Sequence, residues 1–341
     1  MQQFVSDYME GAHPKILEKL LETNMEKTDG YGLDPYSESA REKIRKAVGA
    51  PEAEIYFLAG GTQTNETVIS SVLRPYEGVI AADTGHVNTH EAGAIEHGGH
   101  KVLTIAGEEG RLSAEKIRLW AEKFLSDANH EHEVAPGMVY ISHPTEYGTL
   151  YTKEELTKIR EVCLHYGMKL FLDGARLGYG LAAEGTDLSL KDIAALTDVF
   201  YIGGTKVGAL FGEAVVFPKP GLVPHFYTIT KQHGAMLAKG RITGIQFDVR
   251  FTDDLYEKIG AHAVRLARRI REALLKKGYE LYIDSPTNQI FPIVTKEKAK
   301  ALEEQVQYSF MEELDDGRLV IRFCTSWATR PEDVEELVRL L

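Results

Sequence analysis

The sequence has little cysteine, no long apolar run and no excess of basic residues. Its 341 residues contain two cysteines, Cys163 and Cys324, which excludes a disulfide framework of the kind that staples small secreted domains. No stretch approaches the roughly 18 apolar residues of a membrane-spanning helix. The formal net charge of -12 disfavours nonspecific binding to nucleic acid or to an anionic membrane, because both need a basic surface.

What remains is the composition of an ordinary globular protein, with 43% hydrophobic and 26% charged residues. The chain is long enough for one large and one smaller domain. Its first residues, MQQFVSDYMEGAHP, are acidic and do not have the pattern of a signal peptide. We therefore expect a cytoplasmic protein, with both cysteines packed as small apolar side chains.

Seven short apolar runs predict the strands of one buried sheet, at residues 55–59, 79–82, 101–105, 138–142, 169–173, 199–203 and 214–217. Helical periodicity lies between them, at residues 62–73, 113–125, 153–166 and 190–195. Strands that are apolar at consecutive positions and alternate with helices indicate a mostly parallel sheet covered on both faces. The fold class predicted is therefore α/β.

The pattern changes after about residue 245, and we predict a large domain over residues 1–245 and a small α+β domain over residues 246–341. In the small domain the sequence predicts helices at 253–277 and 296–314, strands at 289–294 and 319–325, and a last helix from Pro331. Thr329 and Glu332 have the spacing of a capping box for that last helix.

Candidate ligand-binding groups follow several of the predicted strands, and ligands of such folds bind outside the carboxyl ends of the strands. Asp173 ends one strand, where it is either a cap for the next turn or a group that faces a ligand. Gly61 and Thr62 open a helix directly after another strand. Exposed amides at a helix N-terminus favour an anion, although a Gly-Gly turn with a Thr cap needs no ligand.

His86 follows a third strand and forms a His-x-x-x-His pair with His90, with His97 and His100 close behind. The zincin pattern requires Glu directly after the first histidine, where this chain has Val87, and no cysteine is near, so we predict no metal site. A histidine lying over an aromatic ligand and a plain core histidine both remain possible at this position.

Lys206 is the one basic residue between Tyr201 and Phe217, among glycines and apolar residues. The run around it lacks the spacing of a phosphate-binding P-loop, which leaves a surface lysine or a covalent attachment point. A lysine, a carboxylate and an anion site at the strand ends of one sheet are the groups that pyridoxal 5'-phosphate requires. The combination of Lys206, Asp173 and Gly61-Thr62 therefore predicts that cofactor.

Eight segments spread along the chain carry a family resemblance: SDYMEGAHP, DGYGLDPY, AGGTQTN, HVNTHEAGA, PTEYGTLY, FLDGARLGYG, GGTKVGALFGEAVVF and IRFCTSWATRPED. Together they resemble the threonine aldolase and β-eliminating lyase family of fold type I pyridoxal phosphate enzymes. The resemblance implies the aspartate aminotransferase fold and subunits that assemble as dimers of dimers.

The resemblance also implies a role for each matching residue. Lys206 would hold the cofactor as a Schiff base, Asp173 would pair with the pyridine nitrogen and His86 would stack on the ring. Gly61 and Thr62 would bind the phosphate, with Lys239 or Arg241 as a further cation. Arg176, next to the cofactor, would bind the substrate carboxylate together with Arg322 and Ser6, and Tyr31 would reach the site from a neighbouring subunit.

One position departs from the pattern that many members share, because this chain has Glu146 where they have histidine. The base that handles the proton of the substrate hydroxyl is therefore open between His86, Glu146 and a bound water. The implied reaction cleaves L-threonine, L-allo-threonine and related L-3-hydroxy-α-amino acids to glycine and an aldehyde. The alternatives are a β-elimination that gives pyruvate and ammonia, or a nucleotide-binding protein without chemistry.

Overall fold

The computed structural model describes residues 1–341 and contains two main sheets. The strands are β1 (Gln2–Gln3), β2 (Glu54–Leu58), β3 (Glu77–Ala82), β4 (Val102–Ile105), β5 (Ala135–Ser142), β6 (Lys169–Asp173), β7 (Val199–Gly203), β8 (Glu213–Phe217), β9 (Leu281–Ile283), β10 (Gln289–Val294), β11 (Val306–Gln307), β12 (Ser309–Glu313) and β13 (Leu319–Cys324). The helices are α1 (Pro14–Glu22), α2 (Pro35–Val48), α3 (Gly61–Val72), α4 (His86–Thr89), α5 (Ala94–His97), α6 (Ala114–Ser126), α7 (Lys153–His165), α8 (Leu177–Leu181), α9 (Leu190–Leu196), α10 (Phe226–Gln232), α11 (Arg241–Arg250), α12 (Leu255–Lys276), α13 (Lys296–Glu303) and α14 (Pro331–Leu340), with a 3-10 turn at His130–His132.

The larger sheet has the strand order β2-β8-β7-β6-β5-β3-β4. Strands β3 to β7 run parallel to one another, and β8 is antiparallel to both of its neighbours. This confirms the predicted seven-stranded, mostly parallel sheet. Strands β6 and β7 have the predicted bounds, whereas β5 begins at Ala135 instead of Met138.

Both faces of this sheet are buried, because successive side chains of each strand enter two different apolar cores. In β5, Val139 and Ile141 pack with residues of α2, α7 and α9, while Met138 and Tyr140 pack with residues of α3 and α10. Side chains alternate across a strand, so a strand covered on both faces is apolar at consecutive positions. That is the pattern that predicted the sheet.

The smaller sheet is antiparallel, with the order β12-β13-β10-β9, and shares an apolar core with helices α12, α13 and α14. The N-terminus joins this part of the molecule, since β1 pairs with β11 and Phe4 is fully buried in the same core. Helix α11 runs across the domain boundary predicted after residue 245, and that boundary stays a prediction.

Two predictions in the small domain are wrong. The helix predicted over 296–314 ends at Glu303 and is followed by β11 and β12, because residues from Ser309 pair with β13 through a turn at Gly317, which has a φ of +81°. The capping box is also absent. The Thr329 hydroxyl accepts the backbone N–H of Ser326 at 2.8 Å, and α14 starts at Pro331 with Arg330 as an N-cap residue that supplies no side-chain hydrogen bond.

Both cysteines are buried and unpaired, as predicted. None of the helices combines the length and the apolarity that crossing a membrane would require.

Candidate active site

A cavity of about 230 Å³ lies at the carboxyl ends of β5, β6 and β7, beside the N-terminus of α3. Its walls include seven of the residues predicted from the sequence: Gly61, Thr62, His86, Glu146, Asp173, Arg176 and Lys206. They come from segments far apart in the chain, which the parallel sheet brings to one edge.

A larger groove of about 640 Å³ lies elsewhere, on the face of α12 that carries Arg265, Arg268 and Arg271. None of the predicted site residues lines it. Arg271 is already paired with Asp284, at 2.5 Å between Nε and Oδ1. The smaller cavity is therefore the candidate active site.

Lys206 is carried by a tight turn between β7 and β8. A Cβ atom at Gly204 would lie 2.2 Å from the carbonyl oxygen of Gly212, so the turn needs glycine there. The Tyr179 hydroxyl donates to the carbonyl oxygen of Lys206 at 2.5 Å, whereas Nζ makes no hydrogen bond within the protein. Burial, reinforced by the charge of Arg176, lowers the pKa of Lys206. The amino group is thus free and more readily neutral than an ordinary lysine.

Asp173 ends β6 and accepts four hydrogen bonds. Oδ1 accepts from the Tyr201 hydroxyl at 2.5 Å and the Ala175 N–H at 2.9 Å, and Oδ2 accepts from the Tyr140 hydroxyl at 2.6 Å and Asn65 Nδ2 at 3.1 Å. Burial raises the pKa of Asp173, but the charge of His86 and these hydrogen bonds outweigh it and lower the pKa overall. The carboxyl group is therefore held ionised at the base of the cavity.

His86 is held by a buried carboxylate that the sequence reasoning did not find. Its Nδ1 lies 2.7 Å from Oε1 of Glu91, whose side chain is fully buried, and Asn65 Nδ2 donates to the same Glu91 oxygen at 2.7 Å. Burial lowers the pKa of His86, while the Glu91 hydrogen bond and the charge of Asp173 raise it, and the net change is upward. A carboxylate acceptor on Nδ1 fixes the proton there and leaves Nε2 for a ligand.

Glu146 follows β5 and lies against His86. Its Oε1 accepts the backbone N–H of His86 at 2.9 Å and the hydroxyl of Ser142 at 2.6 Å, and its Oε2 makes no hydrogen bond within the protein. Burial raises the pKa of Glu146 in spite of these donors. A carboxyl group with a raised pKa and a free oxygen in a cavity is suited to accept or donate a proton.

Helix α3 begins at the cavity without a side-chain cap. Gly60 is its N-cap residue and supplies no cap hydrogen bond, so the first amides, including those of Gly61 and Thr62, are available to an anion. With an unpartnered Lys206 amine and an ionised Asp173 in the same cavity, these residues fit the three groups of pyridoxal 5'-phosphate: aldehyde, ring nitrogen and phosphate.

Arg176 and Arg322, two of the predicted carboxylate-binding residues, are tied to the N-terminal segment. Arg176 donates through Nε and Nη2 to both oxygens of Asp7, at 2.7 and 3.0 Å. Arg322 donates through Nη2 to the carbonyl oxygen of Val5 at 3.1 Å. Ser6 lies between Val5 and Asp7 in the chain and is buried. Neither Ser6 nor Arg322 lines the cavity itself.

Tyr31 and Lys239 lie away from the cavity of their own chain. Tyr31 is 44% exposed and its ring lies under Lys231 Nζ at 4.6 Å. Lys239 is exposed, and its side chain makes no hydrogen bond or ion pair within the chain. Arg241, the other candidate for the phosphate, donates to the carbonyl oxygens of Thr23, Asn24 and Glu26. A single chain does not bring these side chains to the site.

The histidines weighed as metal ligands are dispersed. The ring centroids of His86 and His90 are 5.7 Å apart, and His100 Nδ1 contacts the carbonyl oxygen of Glu77 at 2.9 Å. No group of three or more His, Cys, Asp or Glu side chains is arranged to hold a metal ion.

The family described as "Beta-eliminating lyase" matches residues 3–296 of the chain. A low specificity L-threonine aldolase from Pseudomonas aeruginosa is 31% identical over 341 residues, which cover 99% of this chain and 96% of the relative. A yeast relative of that name, from Saccharomyces cerevisiae, is 24% identical over 80% of this chain and 70% of its own length.

Solved structures show the same likeness. A threonine aldolase from Leishmania major superposes with a TM-score of 0.97 at 42% identity, covering 100% of this chain and 98% of that one. A mutant aspartate aminotransferase from Thermus thermophilus, at 16% identity over 99% of this chain and 96% of its own, has a TM-score of 0.72 and shows the fold. The family match and the near full-length identity lead to one conclusion: the chain is a fold type I enzyme of the beta-eliminating lyase family.

Proposed function

We propose that this protein is a pyridoxal-phosphate-dependent L-threonine aldolase, which cleaves L-threonine, L-allo-threonine and related L-3-hydroxy-α-amino acids to glycine and an aldehyde. One observation carries the proposal: a free lysine amine, an ionised buried carboxylate and an uncapped helix N-terminus share one cavity with two candidate bases. The relatives at 31% and 42% identity over nearly the full chain are named as threonine aldolases, which supports the same reaction.

Five residues would hold the cofactor. Lys206 would bond to its aldehyde carbon as a Schiff base, Asp173 would keep its ring nitrogen protonated, His86 would lie on the ring, and Gly61 and Thr62 would donate amides to the phosphate. When bound, pyridoxal phosphate supplies a ring that accepts the electron pair released at the substrate Cα.

The substrate carboxylate would bind to Arg176 and Arg322, with Ser6 between them. Asp7 pairs with the Nε–Nη2 edge of the Arg176 guanidinium, so the arginine side chain is held in one orientation before the substrate arrives. A carboxylate held in this way fixes the orientation of the substrate, and so directs its Cα–Cβ bond relative to the cofactor ring.

The proton of the β-hydroxyl would pass to a group beside His86. Nε2 of His86 and Oε2 of Glu146 are both free of protein hydrogen bonds, and either can take the proton directly or through one water. Glu146 fits this role because burial raises its pKa toward the range in which a carboxylate is an effective base.

The assembly of the enzyme is part of the proposal. We propose a homo-oligomer, a dimer of dimers, in which Tyr31 contributes to the substrate site and Lys239 to the phosphate site of a neighbouring subunit. The exposure of both side chains supports this arrangement. The cytoplasmic location stays a prediction from the sequence.

The test is product identification with L-threonine, L-allo-threonine, L-phenylserine and L-serine. We expect an aldehyde and glycine from the first three, and Lys206→Ala should remove both the visible absorbance of bound cofactor and aldehyde release. β-Elimination would instead give ammonia with pyruvate from L-serine, or with 2-oxobutanoate from L-threonine, and these products would replace the aldolase by a β-eliminating lyase. A wild-type protein that takes up no cofactor would overturn the proposal altogether.

A further inference from the structure

Glu213 is a buried carboxyl group beside Lys206 that the proposed mechanism does not use. It opens β8, is 3% exposed and lines the cavity. Its Oε2 accepts the backbone N–H of Gly204 and its Oε1 accepts the hydroxyl of Thr205, each at 2.8 Å. One carboxyl group therefore holds the two residues that directly precede Lys206.

The same turn is also held by Arg250 of α11. This fully buried side chain donates through Nη1 to the carbonyl oxygens of Gly203, at 3.0 Å, and Val207, at 3.3 Å. The Thr205 hydroxyl oxygen also accepts the N–H of Gly212 at 3.1 Å, which ties the turn to the beginning of β8. Lys206 thus lies in a turn that a carboxyl group and a guanidinium both hold through hydrogen bonds.

We propose that Glu213 is a positioning residue for Lys206, which fixes the turn that carries the lysine and supplies a negative charge that acts on its amino group. This inference rests on the proposed role of Lys206 as the cofactor-binding lysine. Both oxygens of Glu213 face donors, an arrangement that favours the ionised form.

The charges around Glu213 agree with this role. Burial raises the pKa of Glu213 to about 7, and the Gly204 and Thr205 hydrogen bonds and the charges of Lys206 and Arg250 oppose that rise. The hydroxyls of Tyr201 and Tyr256 also respond to its charge. Glu213 is therefore ionised above about pH 7, and its charge, together with those of Asp7 and Asp173, raises the pKa of Lys206 against burial and Arg176.

The test measures the amino group of Lys206 directly, in enzyme freed of cofactor. Trinitrobenzenesulfonate labels neutral amines, and mass spectrometry quantifies labelling at Lys206 as a function of pH. Glu213→Gln keeps the shape, because its amide can accept from Gly204 and donate to the Thr205 hydroxyl oxygen. We expect its labelling midpoint to move to lower pH, because the amide removes a negative charge that raises the pKa of Lys206.

Asp198→Asn is the matched control. Asp198 lies just before β7, at the end of the strand opposite to Lys206, where its carboxylate pairs with Arg160 and accepts the N–H of Leu170. The control makes the same carboxyl-to-amide change and should keep the wild-type midpoint. Equal midpoints for wild type and Glu213→Gln would overturn the proposal, as would an equal shift in both variants.

If Glu213→Gln does not fold, Glu213→Asp replaces it, since this change keeps the charge and retracts it by one methylene. We then expect an unchanged midpoint and a slower growth of the visible absorbance when pyridoxal phosphate is added. If Glu213→Asp has both the wild-type rate of absorbance growth and the wild-type labelling midpoint, the positioning role is refuted. Because labelling needs no cofactor, failure of the wild type to bind pyridoxal phosphate would refute the proposed function and leave this comparison intact.

Discussion

The backbone N–H of His86 donates a hydrogen bond to the side chain of Glu146 at 2.9 Å, so the two candidate bases share one contact. Removing the Glu146 side chain would therefore take a contact from His86, whereas a side-chain substitution at His86 keeps the backbone N–H that donates to Glu146. Their roles can be separated only by comparing single substitutions at both positions with the double substitution.

Glu146→Gln should lower kcat for L-threonine by roughly 10²-fold or more if its carboxylate takes the hydroxyl proton, the usual contribution of a general base. The amide keeps the contacts from His86 and Ser142, because its oxygen can accept both. The measurement is steady-state aldehyde release, with cofactor absorbance as the control for binding. A kcat within a few-fold of wild type would transfer the role to His86 or to water.

Asp173→Asn should bind the cofactor and lose turnover by roughly 10²-fold or more, because a neutral amide cannot keep the ring nitrogen protonated. Tyr201→Phe, which removes one donor from the same carboxylate, should have a smaller effect of the same kind. Rapid-scanning absorbance and aldehyde release check both. Near-normal turnover in Asp173→Asn would contradict the assignment.

The stability of the cofactor-free protein should depend on His86. Its folded pKa is raised, so its contribution to the free energy of unfolding is complete below the ordinary value of 6.5 and is lost as pH rises through the folded pKa. The stability advantage of wild type over His86→Asn in urea unfolding should therefore shrink as pH increases. An advantage that grows with pH would mean that Glu91 does not stabilise the imidazolium.

Lys239 can be tested by mixing inactive subunits. If Lys239 completes the site of a neighbouring subunit, refolding the Lys206→Ala and Lys239→Ala variants together should restore roughly a quarter of the wild-type sites at limiting cofactor. Roughly half of the dimers then contain one chain of each variant, and each such dimer has one intact site of its two. Each variant refolded alone is the control. No gain on mixing would show that Lys239 does not complete a neighbouring site.

The strands that carry the site could be predicted because burial on both faces requires apolar residues at consecutive positions. Strands β6 and β7 follow their apolar runs residue for residue, and their ends deliver Asp173 and the Lys206 turn. The hydrogen bond from Tyr140 to Asp173 could not be predicted, since a tyrosine inside an apolar run is expected to be an ordinary core residue. Its hydroxyl meets Asp173 only through the parallel register of β5 and β6.

Glu91 and Glu213 were missed for a different reason. Each is an acidic residue near a predicted group, five residues after His86 and seven after Lys206 in the chain, but spacing alone does not reveal which of many glutamates is buried. The predicted helix over 296–314 failed because charged residues suit a helix and an exposed edge strand equally. Gly317, which forms the turn between β12 and β13, was the residue that indicated a hairpin instead of a helix.

The pairing of β1 with β11 sets an order of events during synthesis. Residues near the N-terminus leave the ribosome first, yet the strand that pairs with β1 begins only at Val306, so that pairing awaits nearly the whole chain. Asp7 also accepts a hydrogen bond from Asn288, which follows the large sheet in the chain. A nascent chain that contains the large sheet and Lys206 therefore still lacks partners that hold the N-terminal segment beside Arg176.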